Sequence, residues 1–282
     1  MTTIRLKVPQ WQGGNKPNYF FGSQLLSWLA PENPEQKEFE VPIPEYNGPL
    51  QKENGVVGLT RVAATIDLVT EIITKEAPDK IITLGGDCLV SQAPFDYLKG
   101  KYGEELGVIW IDSHPDISTP EIYHHAHAMV LGNLFGHGDP FLSKKVENPF
   151  SVDSVLFVGL QEPTKDEKRV MQELALNYQV QNEVRISPKD IKQWVAERNF
   201  SKLVVHFDLD VLDPNTFRSL YFTEPGVKEF PSESGKMSLM EVEETMKAIS
   251  EASDIVGLTI AEYLPWDAAN LKKLMNSFNI FF

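Results

Sequence analysis

Cysteine is nearly absent. Cys88 is the single one in 282 residues, so no disulfide can close within the chain. Stability then has to come from a buried core, and a reducing compartment is the simplest expectation. Long hydrophobic runs are also missing: no apolar stretch approaches the roughly 20 residues that a membrane-spanning helix requires. The opening MTTIRLKVPQ lacks the apolar segment and small-residue cleavage site of a secretory leader. A cytoplasmic protein with no membrane association is therefore expected. No cluster of Lys and Arg stands out, and 26 basic against 40 acidic residues leave a formal charge of −14. Such a balance repels phosphate backbones, so nucleic acid is not an expected partner. It suits a cation, either a metal or a substrate, although solubility alone explains many acidic surfaces.

What is present is an alternation of strand and helix patterns, with 42% hydrophobic residues to bury. After 55 residues dense in Pro, Gly, Asn and aromatics, which hold a strand-like IRLKV (4–8) and a helical SQLLSWL (23–29), the rhythm becomes regular. Val57, Leu59, Val62, Ile66 and Val69 mark a helix ending before Pro78. Strands are expected at 80–87, 107–116, 154–160, 202–210 and 255–265, and helices at about 122–135, 165–176, 187–199, 238–250 and 266–279. Continuous apolar strands, each followed by a helix, predict a mostly parallel sheet covered on both faces. With no repeat, low-complexity tract or linker, residues 1–282 read as one domain.

In such sheets ligands gather at the carboxyl ends of strands, and two acidic clusters sit there. WIDSHPD supplies Asp112, His114 and Asp116; HFDLDVLDP supplies Asp208, Asp210 and Asp213. Residues two apart on an extended chain share a face. That pairs Asp112 with His114 and Asp208 with Asp210, and Asp116 joins them if the backbone stays extended. Carboxylates gathered in a low dielectric repel and raise one another's pKa; a divalent cation such as Mn²⁺ removes that conflict. A lone Asp after a strand is more often a turn residue, as expected for Asp213 before Pro214. Two clusters, one with a histidine, favour metal. The pattern requires Asp112 and Asp208 to converge, since a separation beyond about 8 Å excludes a shared ion.

LGGDC (84–88), WIDSHPD (110–116), HFDLDVLDP (206–214) and AEYLP (261–265) resemble, in order, the four signatures of the arginase/agmatinase/formimidoylglutamase (ureohydrolase) family, GGDH, DAHxD, SxDxDxxDP and a Glu-containing stretch near the C-terminus. The resemblance covers nearly the whole chain. It implies a three-layer α/β/α fold with an eight-stranded, mostly parallel sheet, two Mn²⁺ ions, and a hydroxide shared by them that attacks the carbon of a small cationic guanidino or amidino substrate. It implies that Asp112 and Asp208 bridge both ions, that Asp116 completes one shell and holds the nucleophile, and that His114 and Asp210 complete the other. Glu262 takes the place of the family's guanidinium-binding glutamate, and His127 that of the proton-relay histidine, with His124 and His125 as competitors. The alternatives are an exposed strand-end acid and solvated loop histidines. The family also forms homo-oligomers. His137 reads as a loop residue; His206 has the same strand parity as Asp208, which puts it near the site, but reads first as a packed, hydrogen-bonded histidine.

Three departures narrow the expectation. Cys88 stands where the family has a metal-binding His; a thiolate ligand favours Zn²⁺, Fe²⁺ or Co²⁺ over Mn²⁺ and allows one ion instead of two, while the alternative is a small packed Cys. Glu162 and Thr164 stand roughly where arginases hold the substrate's α-amino group. The stretch after Pro214 lacks the usual Pro-rich turn and paired glycines, which points to an atypical substrate. The competing readings are a one-metal amide hydrolase, as in deacetylases of this fold, and a catalytically degenerate member. Replacing Cys88→His is expected to raise Mn²⁺ affinity in a direct titration; unchanged affinity would leave the cysteine a packing residue.

Overall fold

Apolar runs rich in Val and Ile become the strands of the protein. A computed structural model describes residues 1–182 and 185–281. In chain order the strands are β1 (Thr3–Val8), β2 (Lys37–Glu40), β3 (Lys52–Glu53), β4 (Val56–Val57), β5 (Lys80–Gly85), β6 (Leu106–Ile111), β7 (Val155–Val158), β8 (Lys202–Asp208) and β9 (Asp254–Ala261). The helices are α1 (Asn18–Leu29), α2 (Leu59–Glu76), α3 (Gln92–Tyr102), the short α4 (Val130–Leu134) and α5 (Pro140–Ser143), α6 (Lys165–Glu173), α7 (Pro188–Arg198), α8 (Leu239–Ala252) and α9 (Trp266–Met275). The two-residue strands β3 and β4 pair only with each other. The other strands form one sheet in the order β2-β1-β5-β9-β8-β6-β7, and every pair in it is parallel.

Both faces of that sheet are covered. Along β6 the side chains of Leu106, Val108 and Trp110 enter one core, shared with Val62, Ile66 and Val69 of α2 and Phe95 and Leu98 of α3. Ile109 and Ile111 enter the other, with Ile191 and Val195 of α7 and Val242 and Ile249 of α8. Each such side chain contributes about 1.5–3 kcal/mol by leaving water. Capping boxes start three of the helices, at Thr164/Glu167, Ser187/Asp190 and Ser238/Glu241, which fixes where each begins.

Three expectations need correction. The main sheet has seven strands among the described residues, not eight. Beyond β7 the chain is tacked to the edge by the Gln181 N–H, which donates to Leu160 O at 2.8 Å, and by the buried Leu176 and Val180. Among the described residues no strand ladder extends the sheet past β7, which ends at Val158 before Gly159 at φ +89°. The helix expected over 122–135 begins only at Ala126, as a 3₁₀ turn leading into α4. Residues before it are held as a loop by Val57 N–H donating to His124 O (2.9 Å) and Ser118 N–H donating to Ala128 O (2.8 Å). The last helix stops at Met275.

Strand β2 and helix α3 had no counterpart in the sequence patterns. The edge strand β2 reads KEFE and is largely exposed, charged as edges commonly are. Helix α3 carries Pro94 in its first turn, where no N–H is needed, and Gly100, which lies against Asn148.

Strands β5 and β6, consecutive along the chain, are separated in the sheet by β9 and β8. Their loops part and open a crevice at the carboxyl edge, the usual ligand position in such sheets. Gly86 closes its floor. Its N–H donates to Val8 O (2.9 Å) and its carbonyl accepts from Glu262 N–H (2.7 Å), while an added Cβ would lie 1.7 Å from Gln10 O. Gly86→Ala is expected to lower stability by about 1–3 kcal/mol, as overpacking does, read as a lower thermal midpoint; an unchanged midpoint would show that this backbone gives way freely.

Candidate metal centre

The two acidic clusters are brought to the crevice by the same local device. The strand β6 ends at Ile111, and the carboxylate of Asp112 accepts a hydrogen bond from the His114 N–H at 2.7 Å. The strand β8 ends at Asp208, whose carboxylate accepts from the Asp210 N–H at 2.7 Å. Each aspartate thus turns its own backbone by a side-chain bond two residues on. His114 and Asp210 reach the site through these turns and not through the pleat of an extended strand. Asp116 follows at φ +50° and Glu262 at φ +64°, a conformation that non-glycine residues keep only where the surroundings impose it.

Asp112, Asp116, Asp208, Asp210 and Glu262 are each 1–3% exposed, and Cys88 is 1% exposed. The basic groups that reach these carboxylates among the described residues are histidines. His114 Nδ1 lies 3.0 Å from Asp210 Oδ2, His127 Nδ1 lies 2.8 Å from Glu262 Oε1, and His206 Nε2 lies 3.6 Å from Asp112 Oδ2. Tyr19 donates to the second oxygen of Glu262 at 2.5 Å. Cys88 Sγ lies 2.9 Å from Asp208 Oδ2 and 3.6 Å from Glu262 Oε1.

Electrostatics follow from burial and crowding. Burial, with the charges of Asp116 and Asp210, holds the Asp112 carboxyl well above the usual range; burial and the charges of Asp210, Glu262 and Asp112 do the same for Asp208. Burial lifts Asp116 to about 7 although His127 and His114 pull it down. Burial lowers the His127 imidazolium, but the Glu262 charge and hydrogen bond outweigh it and push the ring up to about 9. Asp210 is held low, because His114 and Ser113 offset its burial. Burial drives the Cys88 thiol up, reinforced by Asp208 and Glu262.

The arrangement fits divalent cations. Four groups of ligand atoms lie within 4.8 Å of one another: Cys88–Asp112–His206–Asp208, Asp112–His114–Asp210, Asp208–Asp210–Glu262 and Cys88–His127–Glu262. Asp112 and Asp208 therefore converge as the sequence pattern requires. Three buried polar atoms here, His114 Nε2, Asp116 Oδ2 and His206 Nε2, have no hydrogen-bond partner; buried polar atoms are rarely left so without an ion or water to meet them. Asp116 borders the cavity without entering any of the four groups.

A cavity of about 570 Å³ opens over these residues, lined also by Lys16, Tyr19, Ile122, Tyr123, His125, Tyr221, Pro231 and, from the start of α6, Thr164, Asp166 and Glu167. Glu162 instead pairs with Lys168. His124 is occupied by Lys52 Nζ (2.8 Å) and Pro120 O, Asp213 bonds the Asn215 N–H within its turn, and His137 is exposed. Tyr19 escaped sequence reasoning, and His206, expected to be packed, sets its Nε2 3.6 Å from Asp112 Oδ2. Tyr19 stands in the patternless N-terminal stretch, and nothing local links it to Glu262, 243 residues away.

A parallel α/β sheet carrying convergent buried carboxylates at its carboxyl edge defines the class. The chain belongs to the arginase family, whose sequence profile matches residues 45–274. Among curated relatives, the arginase of Coccidioides posadasii is 26% identical over 206 residues, 66% of this chain and 59% of that protein. The arginase of Emericella nidulans is 22% identical over 258 residues, 82% of this chain and 71% of that protein. The match thus spans about three-fifths of the first relative's length. Among solved structures, an Entamoeba histolytica arginase in complex with L-ornithine has a TM-score of 0.80 at 21% identity, covering 98% of this chain and 97% of that one. A putative agmatinase from Clostridium difficile has a TM-score of 0.63 at 20% identity, covering 98% and 92%. At these identities the likeness establishes the fold.

The charge layout predicts how the metal-free protein responds to pH. His127 titrates at about 9 when folded against an ordinary 6.5, and a raised folded pKa stabilises below the unfolded value and loses that contribution as pH rises through the folded one. Asp116, at about 7, acts in the same direction up to that pH. The buried His206, pushed down to about 3, opposes only below 6.5. Chelator-treated protein is therefore expected to lose several degrees of thermal midpoint between about pH 6.5 and 9, and added divalent cation to reverse the trend. A midpoint flat across that window would contradict the layout.

Proposed function

We propose that the chain is a divalent-metal-dependent hydrolase that cleaves a linear C–N bond in a small guanidino or amidino cation. The observation that supports this most is the sharing of Asp112 between the Cys88–His206–Asp208 group and the His114–Asp210 group, the place of a carboxylate bridging two ions. Asp112 and Asp208 would be the shared ligands, with His114 and Asp210 on one side and Cys88 and Asp116 on the other. Mn²⁺ is the family's metal; the thiol of Cys88 admits another divalent ion. When bound, such ions neutralise the crowded carboxylates and let water ionise near neutral pH.

The chain's own groups then divide the work. Glu262 receives the planar cation through paired charge-assisted hydrogen bonds, oriented by Tyr19 and His127. Asp116 Oδ2, which has no partner, accepts a proton from the attacking water. His127, protonated near neutrality, passes a proton to the departing amine. Tyr123, Ile122, Tyr221 and Pro231 wall the cavity and exclude bulk water, while Asp166 and Glu167 suit a second positive group on the substrate's tail. The names of the relatives, arginase and agmatinase, support this substrate class. Exposed apolar side chains on the mutually packed α1 and α9, among them Trp28, Leu271 and Leu274, support self-association.

The test is metal content by mass spectrometry together with urea and ammonia release from a panel of guanidino compounds, with Mn²⁺, Co²⁺, Zn²⁺ or Fe²⁺ replete. Asp208→Ala is expected to abolish both metal binding and turnover, and Glu262→Gln to lower kcat/KM by roughly a hundredfold or more, the scale of a lost charge-assisted contact. A metal-replete protein inert toward every compound would overturn the reading, and a single ion per chain would shift it toward amide hydrolysis.

A further inference from the structure

One pleat repeat below Asp208, on the same side of β8, lies a second buried imidazole. His206 pairs in register with Trp110 of β6 and Thr259 of β9, and its ring stacks on the Trp110 indole at 3.8 Å between centroids and 10° between planes. Its Nδ1 lies 2.8 Å from Ser91 Oγ. Its Nε2 is buried without a hydrogen-bond partner and faces Asp112 Oδ2 at 3.6 Å, beyond hydrogen-bond reach. A histidine that serves packing alone normally has both nitrogens satisfied.

Neither neutral tautomer satisfies this arrangement. With the proton on Nδ1, donated to Ser91 Oγ, the Nε2 lone pair points at carboxylate oxygen. With the proton on Nε2, a donor stops short of the acceptor in front of it. A cation resolves the conflict: with the proton on Nδ1, donated to Ser91 Oγ as to the outer partners of metal-bound histidines, the Nε2 lone pair and the carboxylates converge on the ion. Cys88, Asp112, His206 and Asp208 each offer a ligand atom, all within 4.8 Å of one another, and Cys88 Sγ lies 2.9 Å from Asp208 Oδ2. Donors around one tetrahedral ion stand about 3.5 Å apart.

We propose that the subsite nearest the sheet is a Cys88–His206–Asp112–Asp208 site, in which His206 enters from the floor and takes the place given above to Asp116, selecting Zn²⁺ or Co²⁺ over Mn²⁺. It deepens the proposed function and rests on its claim that the centre binds divalent metal. A thiolate and an imidazole soften this donor set, whereas the neighbouring His114–Asp210 side keeps a harder one, so the two subsites differ in preference. On binding, the Cys88 thiol gives its proton to solvent and its sulfur lone pair to the metal, with no redox change.

Full-length protein freed of metal by chelation is titrated with Co²⁺ and followed by the near-ultraviolet thiolate-to-cobalt band. The band is expected to saturate at one equivalent, to vanish in Cys88→Ser, and to persist in His206→Gln with Co²⁺ bound roughly tenfold or more weakly. Wild-type affinity in His206→Gln would overturn the proposal. Because His206 is stacked in the core, a second measurement leaves it intact: X-ray absorption of the His114→Ala/His127→Ala protein carrying one equivalent of Zn²⁺. One sulfur and one imidazole are expected; sulfur without imidazole, or oxygen alone, overturns the site. Urea release by the wild-type protein together with unchanged metal affinity in His206→Gln would sink this inference and leave the proposed function standing, whereas loss of all divalent binding would sink both.

Discussion

Mutual repulsion among buried carboxylates is the constraint around which the carboxyl edge of this sheet is organised. Asp112, Asp116, Asp208, Asp210 and Glu262 share one recess at 1–3% exposure, and His114 and His127 are the cations that pair with them among the described residues. In a low dielectric such acids raise one another's pKa, and desolvation without compensation costs several kcal/mol per ion, on the order given by measurements on broken buried pairs. The backbone around them is correspondingly over-determined. Two aspartates bend their own chains through side-chain bonds, Asp116 and Glu262 sit at positive φ, and Gly13 and Gly86 allow Asp87 and Gln10 to approach where a Cβ would collide.

That density of constraint is affordable because the sheet beneath is wholly parallel and buried on both faces. Register places β5, β9, β8 and β6 side by side, so their carboxyl ends deliver Cys88, Glu262, Asp208 and Asp112 to one spot. The row one pleat lower, with His206 between Trp110 and Thr259, forms the floor. The same register that fills the core therefore decides which polar groups face the recess from below.

Much of this was legible in the chain. Apolar runs identified β5, β6, β7, β8 and β9 and the parallel, two-faced sheet, because a doubly buried strand must be apolar throughout. The clusters at 112–116 and 208–210 were legible because two groups of acids, one with a histidine, follow such runs, where a single Asp would read only as a turn residue. Helix α3 was hidden by Pro94 and Gly100, which break its periodicity but are tolerated where they fall. The expected eighth strand came from family likeness, and among the described residues the sheet ends at β7.

The order of the apolar strands β5 to β9 and the identity of the acidic residues were determined by the sequence alone, since periodicity and residue chemistry are local properties. That His206 meets Ser91 and faces Asp112, which oxygens of Glu262 are held by Tyr19 and His127, and that His124 turns away to Lys52 were decided only by tertiary structure. Those outcomes depend on contacts between segments more than 70 residues apart, and no local pattern encodes the distance between two side chains that meet only when the sheet closes over its core.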